Sequence, residues 1–432
     1  MTRKIAVKYS QLILPLAVLI LFSSCSQVPQ MYQPHGQPLL AHKIKKVIDD
    51  SGLATSVGIK IVSAESGKFL YQLNSDHLFK PASNNKIYTA AAAFHFLGPD
   101  YQFHTEVWGD TKPVNGHLNN LILKAGGDPD FSLASLDSLA RIVAELVVSV
   151  DQIIIDNSRL DSVRLGEGWM WDEGSRWYAA QVDAMSLNDN CIDIDISPGT
   201  AGAPPQLIIT PDTEYISINN QALTVDDTTN LHDFEITRRW WEPSNVFDVT
   251  GDILFDEERD TINRNIHAPA LFTGQVFKEM LNSYGVETTS DIKIGKLPDS
   301  TNLIADHVSE PLPVVIKHFL KDSYNLSGEL LVKTIGLETT GKQGNWQNGL
   351  LAIKTFLQAE VGIDTTRIRM VDGSGVSHYN HTCPGQLTQL LYYVYTKSDF
   401  LSEYQDALPI SGIDGTLENR MKNELVRGKI LA

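Results

Sequence analysis

The spacing of apolar residues divides the chain into helical and extended segments. Apolar residues recur three and four positions apart over eight segments, which predicts helices, and they alternate with polar residues over shorter segments, which predicts strands. The predicted helices are 39–50, 83–97, 133–148, 268–281, 313–320, 327–339, 346–360 and 386–396. The predicted strands are 56–62, 69–71, 121–124, 153–155, 192–196, 207–209 and 216–218. The mixture predicts an α/β fold.

The pattern changes between residues 102 and 260, where short alternating segments are separated by Gly, Pro, Asn and Asp. One predicted helix interrupts this stretch, and helical periodicity resumes only after it. We therefore expect a discontinuous α/β domain, formed by residues 37–105 and 262–432, with a β-rich domain of residues 106–261 inserted into it.

The N-terminus has the organisation of an export signal. Three basic residues, Arg3, Lys4 and Lys8, precede an apolar run over 12–22, which is too short to span a bilayer. Small residues then lead to Cys25, a pattern that resembles a bacterial lipobox. We expect a signal peptide over residues 1–24, a lipid anchor on Cys25 and a tether over 25–36, as in a bacterial periplasmic lipoprotein anchored to the membrane.

The lipobox has one irregular position. Phe22 replaces the usual aliphatic residue. Cleavage by the ordinary signal enzyme therefore stays open as an alternative to lipidation.

The net charge and the cysteine spacing argue against some partners and cofactors but do not identify a function. The formal net charge is −17 over 432 residues, and no Lys/Arg cluster lies outside the first eight residues, so we expect no nucleic-acid partner. Acidity that only maintains solubility explains the charge equally well. Cys191 and Cys383 show no metal-type spacing, and we expect neither a metal nor an organic cofactor. A disulfide stays open, but two buried thiols are favoured.

A serine and a lysine three residues apart begin the predicted helix 83–97. Ser83 and Lys86 lie on one face of a helix at this spacing, so the amine can reach the hydroxyl and, if uncharged, take its proton. Burial and the helix dipole would favour the uncharged amine. The alternative is a purely structural role for Ser83, as a helix N-cap. The same motif at 290–293 lies in an alternating segment, where residues three apart face opposite sides of a strand.

A Ser-x-N motif lies at 323–325, between two predicted helices. The pattern is common, because 186–188, 217–219 and 300–302 also fit it. Its position makes Ser323 and Asn325 the favoured pair, since such an element accompanies Ser-x-x-Lys in active-serine enzymes.

Several sequence blocks, in order, resemble one family. They are 321–326, 371–377 and 408–417, with 126–129, 156–159, 168–172 and 186–190 in the predicted insert. With the two motifs, these blocks are similar to the class C low-molecular-mass penicillin-binding proteins, which are D-alanyl-D-alanine carboxypeptidases and endopeptidases. The resemblance extends from about residue 37 to the last residue.

The resemblance implies a serine D,D-peptidase domain, of the penicillin-binding and β-lactamase-like fold, that acts on the stem peptides of peptidoglycan. Ser83 would be the nucleophile, Lys86 the general base and Ser323 the proton relay, while Asn325 would bind the substrate amide. β-Lactam antibiotics would acylate Ser83.

Two further substrate-binding residues are implied with less weight. Asp156 matches an acidic position near the family's cleft, although a buried turn-capping aspartate is an open alternative. His378 stands where the family often has arginine, and a surface loop residue is equally open there.

One family element is absent from the sequence. Neither Lys-Thr-Gly nor Lys-Ser-Gly occurs, and the near match at 333–336 falls in a predicted helix. The family's order places this element directly after 428–432. We therefore expect the C-terminal strands of the central sheet to be missing, and weak or no hydrolysis by a chain of this extent. A β-lactamase and a non-catalytic, lipid-anchored peptidoglycan-binding protein are the rival functions.

Overall fold

The computed structural model describes residues 35–299 and 301–432. The predicted signal peptide, the proposed lipidation site Cys25 and residues 25–34 of the predicted tether lie outside the described residues. The chain divides after His77 into two compact units.

The first unit contains one helix and a small antiparallel sheet. Its elements are β1 (His35–Gly36), α1 (Pro38–Asp50), β2 (Ile59–Val62) and β3 (Phe69–Leu73), with strand order β1-β3-β2. The hairpin β2–β3 is the one that the alternating pattern predicts. The last two residues of the predicted tether form β1, where Gly36 pairs with Tyr71, and the tether itself stays a prediction.

Six helices of the second unit form a helical layer. They are α2 (Asn85–Leu97), α5 (Leu312–Lys321), α6 (Asn325–Thr340), α7 (Trp346–Ala359), α8 (Pro384–Lys397) and α9 (Leu401–Ala407). Four consecutive alanines of α2, residues 90–93, are fully buried, and these small side chains let α2 pack closely against α6. Phe319 and Phe356 complete the same apolar core. The central position of α2 matters because this helix follows directly on Ser83.

A six-stranded sheet forms the second part of this unit. Its strands are β4 (His104–Gly109), β5 (His117–Lys124), β6 (Ser149–Asp156), β15 (Glu287–Thr288), β16 (Lys293–Ile294) and β17 (Asn302–Val308). The order is β15-β6-β5-β4-β17, with β16 also on β6. Helices α3 (Leu133–Ala144) and α4 (Pro269–Ser283) pack together, and their apolar residues join the core of this sheet.

The remaining strands form smaller sheets. One has the order β14-β7-β8, from Asp260–Asn265, Cys191–Ser197 and Gln206–Thr210. Another has the order β11-β12-β9, from Glu235–Arg238, Val246–Thr250 and Ser217–Asn220, and β10 (Leu223–Val225) pairs with β13 (Asp252–Leu254). Cys191 and Cys383 are buried free thiols, as the favoured alternative predicts.

The predicted insert shares its sheet with the flanking chain. Its boundary at 105/106 falls inside β4, and the boundary at 261/262 falls inside β14. Strand β17, from beyond the predicted insert, pairs antiparallel with β4. The division into a β-rich insert over 106–261 therefore stays a prediction, whose limits do not coincide with the ends of strands.

No helix within the described ranges is long and apolar enough to cross a membrane.

Candidate active site

Four side chains from two distant motifs meet in one cluster. Lys86 Nζ lies 3.1 Å from Ser83 Oγ and 2.6 Å from Asn325 Oδ1. The Ser323 hydroxyl donates a hydrogen bond to Ser83 Oγ, 3.0 Å away. The structure thus brings together the two motifs that the sequence singles out, although 240 positions separate Ser83 from Ser323.

The turn before α2 sets the exposure of the nucleophile and the base. Residues Ala82–Asn84 form one turn of 3₁₀ helix, and α2 begins at the next residue. Ser83 is exposed on this turn, whereas Lys86 is one turn further and only 2% exposed. The N-cap alternative for Ser83 is wrong, because the N-cap position of α2 belongs to Asn84. The hydroxyl therefore faces the solvent and the amine faces the interior.

The connection between α5 and α6 positions the second motif. Ser323 has a left-handed backbone (φ 61°), which is unusual for a residue with a Cβ, and Asn325 is the first residue of α6. The Asn325 amide donates from Nδ2 to the backbone carbonyl of Tyr178 at 2.8 Å. This contact fixes the amide so that its oxygen faces Lys86.

A loop beginning at Asp372 closes the back of the cluster. The Ser374 carbonyl accepts a hydrogen bond from Lys86 at 3.0 Å. Asn85 and Thr89 of α2 donate to the carbonyls of Asp372 and Gly373 at 2.8 and 2.7 Å. The loop and the first turns of α2 are thus joined at three points.

Two glycines allow the loop to approach so closely. A Cβ on Gly373 would lie 2.3 Å from the Gly328 carbonyl oxygen of α6. A Cβ on Gly375, whose φ is +92°, would lie 1.9 Å from the Ala82 carbonyl oxygen. The Gly-Ser-Gly sequence in the block 371–377 is therefore a packing requirement between this loop, α6 and the serine turn.

Burial makes Lys86 a candidate base. Desolvation lowers the pKa of Lys86 to about 8, and the negative charges of Glu329 and then Asp372 act against that shift. About a tenth of the population is therefore uncharged at pH 7, as a lysine must be to accept a proton from a serine.

The groups that surround Lys86 are not among the residues predicted from the sequence. Glu329 is fully buried, and burial, followed by the charge of Asp372, raises the pKa of its carboxyl. Asp372 is also buried and accepts a hydrogen bond from the amide of Ser377 at 2.7 Å. One local signal was available, because Glu329 follows Asn325 by four residues, which places both on one face of α6. The carbonyls of Tyr178 and Ser374 carry no sequence signal.

The two other predicted substrate residues lie apart from these contacts. Asp156, the last residue of β6, is buried and accepts hydrogen bonds from the backbone amides of Ser158 and Leu297, at 2.9 and 2.7 Å. Those contacts favour the turn-capping alternative. His378 is exposed on the loop that follows Ser377. The binding roles of Asp156 and His378 stay predictions.

The near matches to the motifs have structural roles. Lys293 lies in β16, so the second Ser-x-x-Lys has no helical pair. Lys333 lies in α6, where it is buried and paired with Asp161 at 2.6 Å. Within the described part of the chain, no group of three or more His, Cys, Asp or Glu is arranged to hold a metal ion.

An open cavity of about 650 Å³ adjoins the cluster. Asp322 and Tyr324, the chain neighbours of Ser323, line it together with Trp177, Asn188, Asp189, Cys191, Asp193, Thr261 and Asn263. Burial, followed by the charges of neighbouring carboxylates, raises the pKa of Asp189 to about 7. The cavity therefore borders the residues on either side of Ser323.

Known proteins resemble the chain over most of its length. Residues 40–432 match the model of the D-Ala-D-Ala carboxypeptidase 3 (S13) family. A D-alanyl-D-alanine carboxypeptidase from Actinomadura sp. (strain R39) is 30% identical over 411 residues, which cover 91% of this chain and 75% of that protein.

Solved structures show the same fold. A crystal structure of penicillin binding protein 4 (dacB) from Haemophilus influenzae matches with a TM-score of 0.76 at 22% identity, covering 87% of this chain and 83% of that one. The complex of that protein with a novel β-lactam matches with a TM-score of 0.74 at 21% identity, covering 90% and 86%. At this identity the likeness supports the fold alone, and it agrees with the α/β penicillin-binding architecture that the sequence predicts.

Proposed function

The chain belongs to the D-Ala-D-Ala carboxypeptidase 3 (S13) family, and on that premise we propose that it is a serine hydrolase that removes D-alanine from the stem peptides of peptidoglycan. The family that the sequence predicts is thereby confirmed. The observation that carries the proposal is the series of contacts from Ser323 through Ser83 and Lys86 to Asn325.

The reaction begins at Ser83. The uncharged amine of Lys86 takes the hydroxyl proton while Ser83 Oγ forms a bond to the carbonyl carbon that precedes the terminal D-alanine. The tetrahedral intermediate then collapses, the peptide C–N bond breaks, and the leaving amine needs one proton.

Ser323 is placed to deliver that proton. Its hydroxyl contacts Ser83 Oγ directly and so lies beside the bond that breaks; it gives its proton to the nitrogen of the departing D-alanine and takes in exchange the proton that Lys86 received from Ser83. The acyl group stays on Ser83 until a water molecule, deprotonated by Lys86, attacks the ester and releases the shortened stem. No cofactor is needed at any step.

Asn325 has a positioning role in this scheme, together with contact to the substrate amide. Its oxygen holds Lys86, and its nitrogen is held by the Tyr178 carbonyl. β-Lactams would acylate the same serine, because their reactive amide occupies the position of the D-alanyl-D-alanine bond. Cleavage of cross-linked stems, the endopeptidase reaction, needs the same chemistry with a larger leaving group.

We also propose an extracytoplasmic location for the protein, since its substrate lies in the cell wall. The finer proposal, a periplasmic lipoprotein anchored through Cys25, is supported by the basic residues, apolar run and cysteine of the N-terminus. Cys25→Ser should release the protein from the membrane fraction of the producing cell, and full retention would contradict lipid anchoring.

The proposal is tested by acylation with fluorescent penicillin and by release of D-alanine from a stem pentapeptide. Wild-type protein should carry one label per molecule and release D-alanine. Ser83→Ala should abolish both signals, whereas the matched variant Ser290→Ala, in the second Ser-x-x-Lys sequence, should keep both. Labelling that persists in Ser83→Ala would overturn the assignment of the nucleophile. Labelling with rapid penicillin turnover and no D-alanine release would support a β-lactamase instead.

A further inference from the structure

A buried carboxylate, that of Glu329, lies behind the cluster. Glu329 is 0% exposed, and within the described ranges no Lys, Arg or His lies at ion-pair distance from its oxygens. It accepts hydrogen bonds from the backbone amides of Gly373 and Ser374 at 2.8 and 2.9 Å. A third bond comes from the Trp346 indole at 2.7 Å. Burial raises the pKa of this carboxyl, whereas the three donors lower it because they stabilise the charged form.

Ser374 connects this carboxylate to the general base. The amide of Ser374 donates to Glu329, and the carbonyl of the same residue accepts from Lys86. Asn325, one helical turn before Glu329, contacts Lys86 directly. Helix α6 therefore holds the amine in two ways, once through its own side chain and once through a loop residue that Glu329 fixes.

We infer that Glu329 is a positioning residue for the acylation step: it fixes the Gly373–Ser374 backbone against Lys86 and places a negative charge behind the amine that receives the Ser83 proton. The inference rests on the proposed function. Glu329 does not touch the nucleophile, so it acts through Ser374 and through its charge.

The charge matters because the amine becomes a buried cation when it takes the proton. The ionisable groups that face Lys86 are Glu329, from α6, and Asp372, from the loop; Asn325 and Ser374 are neutral. Asp372 is engaged by the amides of Gly375 and Ser377 and by the side chains of Asn380 and Trp169. Of the two charges, Glu329 has the larger effect on Lys86 and raises the pKa of the amine against the effect of burial.

The test compares Glu329→Gln with Glu338→Gln, a matched control on the same helix. Glu338 pairs with Arg159 at 2.8 Å, away from the serine. The measured quantity is the rate of Ser83 acylation by fluorescent penicillin as a function of pH, with thermal unfolding of each variant alongside. A glutamine keeps the shape but offers one acceptor to two backbone amides and removes the charge.

Glu329→Gln should lower the maximal acylation rate roughly 10- to 100-fold, because the loop and the amine are misplaced. It should also move the acidic limb of the pH profile about one unit to lower pH, because the amine loses a group that stabilises its charged form. Glu338→Gln should change neither. Trp346→Phe removes one donor to the carboxylate and should shift the acidic limb in the same direction by a smaller amount. This variant replaces Glu329→Gln in the test if Glu329→Gln does not fold.

The outcomes separate the two proposals. A wild-type protein that penicillin does not acylate would overturn the proposed function itself. An acylated wild type, with a slower Glu329→Gln variant whose acidic limb does not move or moves to higher pH, would overturn the inference alone and leave Glu329 a purely structural residue.

Discussion

Lys86 and Asn325 form the shortest contact in the catalytic cluster, with 2.6 Å between the amine nitrogen and the amide oxygen. The Ser374 carbonyl, 3.0 Å from the same amine, is a second hydrogen-bond acceptor; like the Asn325 oxygen, it cannot donate. An uncharged amine has two hydrogens and one lone pair, so these acceptors engage both hydrogens. The lone pair is then left for the Ser83 hydroxyl, 3.1 Å away. The orientation of the base thus follows from the two acceptors that do not react.

Asn325→Asp keeps the size of the side chain but loses the donor to the Tyr178 carbonyl, and it should slow acylation. A carboxylate at this distance stabilises the charged amine, so the pKa of Lys86 should rise by about one unit or more. The uncharged fraction at neutral pH then falls roughly tenfold per unit, and the acylation rate with it. The pH profile of acylation checks this, because the acidic limb should move to higher pH, opposite to the shift expected for Glu329→Gln.

The exposed Asn419→Asp serves as the control for added charge and should leave the profile unchanged. An Asn325→Asp profile that coincides with the wild type would show that the amide oxygen does not act on Lys86.

The wild-type profile carries its own prediction. Because burial lowers the pKa of Lys86 to about 8, its charged form loses the proton as pH rises through that value. The rate of acylation should increase with pH below about 8 and level off above it, where the amine is uncharged. Rate measurements between pH 5 and 10 would show this limb, and a rate that is flat down to pH 6 would argue against Lys86 as the base.

The sequence predicts the parts of this site that depend on local spacing. Ser83 and Lys86 are recognisable because three residues of helix place them together, and the order of the family blocks selects 323–325 among the five matches to the Ser-x-N pattern. The periodicity also predicts each described helix except Leu401–Ala407, which is too short to show it. Helix 133–148 is overestimated, since the chain leaves the helix after Ala144 and enters β6 at Ser149.

What the sequence does not predict is set by tertiary contacts. The carbonyls of Tyr178 and Ser374 act through backbone atoms, which every residue has. Glu329 resembles any helical glutamate until the loop at Gly373 covers it. The extent of the predicted insert failed to match strand ends for a related reason: pairing of β4 with β17 joins segments about 200 positions apart, which no local pattern reveals.

Gly375 offers a test of how closely the serine turn is packed. Gly375→Ala combines a left-handed backbone, which costs a residue with a Cβ roughly 1–3 kcal/mol, with a Cβ placed 1.9 Å from the Ala82 carbonyl oxygen. Ala82 and Ser83 must move, so acylation should fall at least about tenfold. Stopped-flow acylation and thermal unfolding would measure the two effects.

Gly341→Ala is the matched control. Gly341, at the end of α6, also has a positive φ (+64°), but nothing lies within 4 Å of its added Cβ. This variant should lose about 1 kcal/mol of folding free energy and keep its acylation rate. Equal acylation rates in the two variants would show that the contact with Ala82 does not position the nucleophile.

Asn265 connects strand β14 to the catalytic cluster. Its side chain is buried in β14 and donates to the carbonyls of Gly174, Arg176 and Ala179, at 3.2, 2.7 and 3.3 Å. The last two carbonyls flank Tyr178, whose own carbonyl holds the Asn325 amide. Arg238, which is buried, in turn donates to the Asn265 side chain at 3.1 Å. Strand β14 therefore fixes, through Asn265, the segment 174–179, whose Tyr178 carbonyl orients Asn325.

Asn265→Ala should both destabilise the protein and slow acylation. Three carbonyls and one guanidinium lose a buried partner, which should cost about 3 kcal/mol in the free energy of unfolding. The Tyr178 carbonyl should lose its fixed position, so acylation should fall roughly tenfold even at temperatures where the variant is folded. The control Asn119→Ala, in which an exposed side chain of β5 loses its contact with Asp110 at 3.2 Å, should change neither quantity by much. An Asn265→Ala variant that is less stable but acylates at the wild-type rate would show that β14 supports the fold of the site without orienting its base.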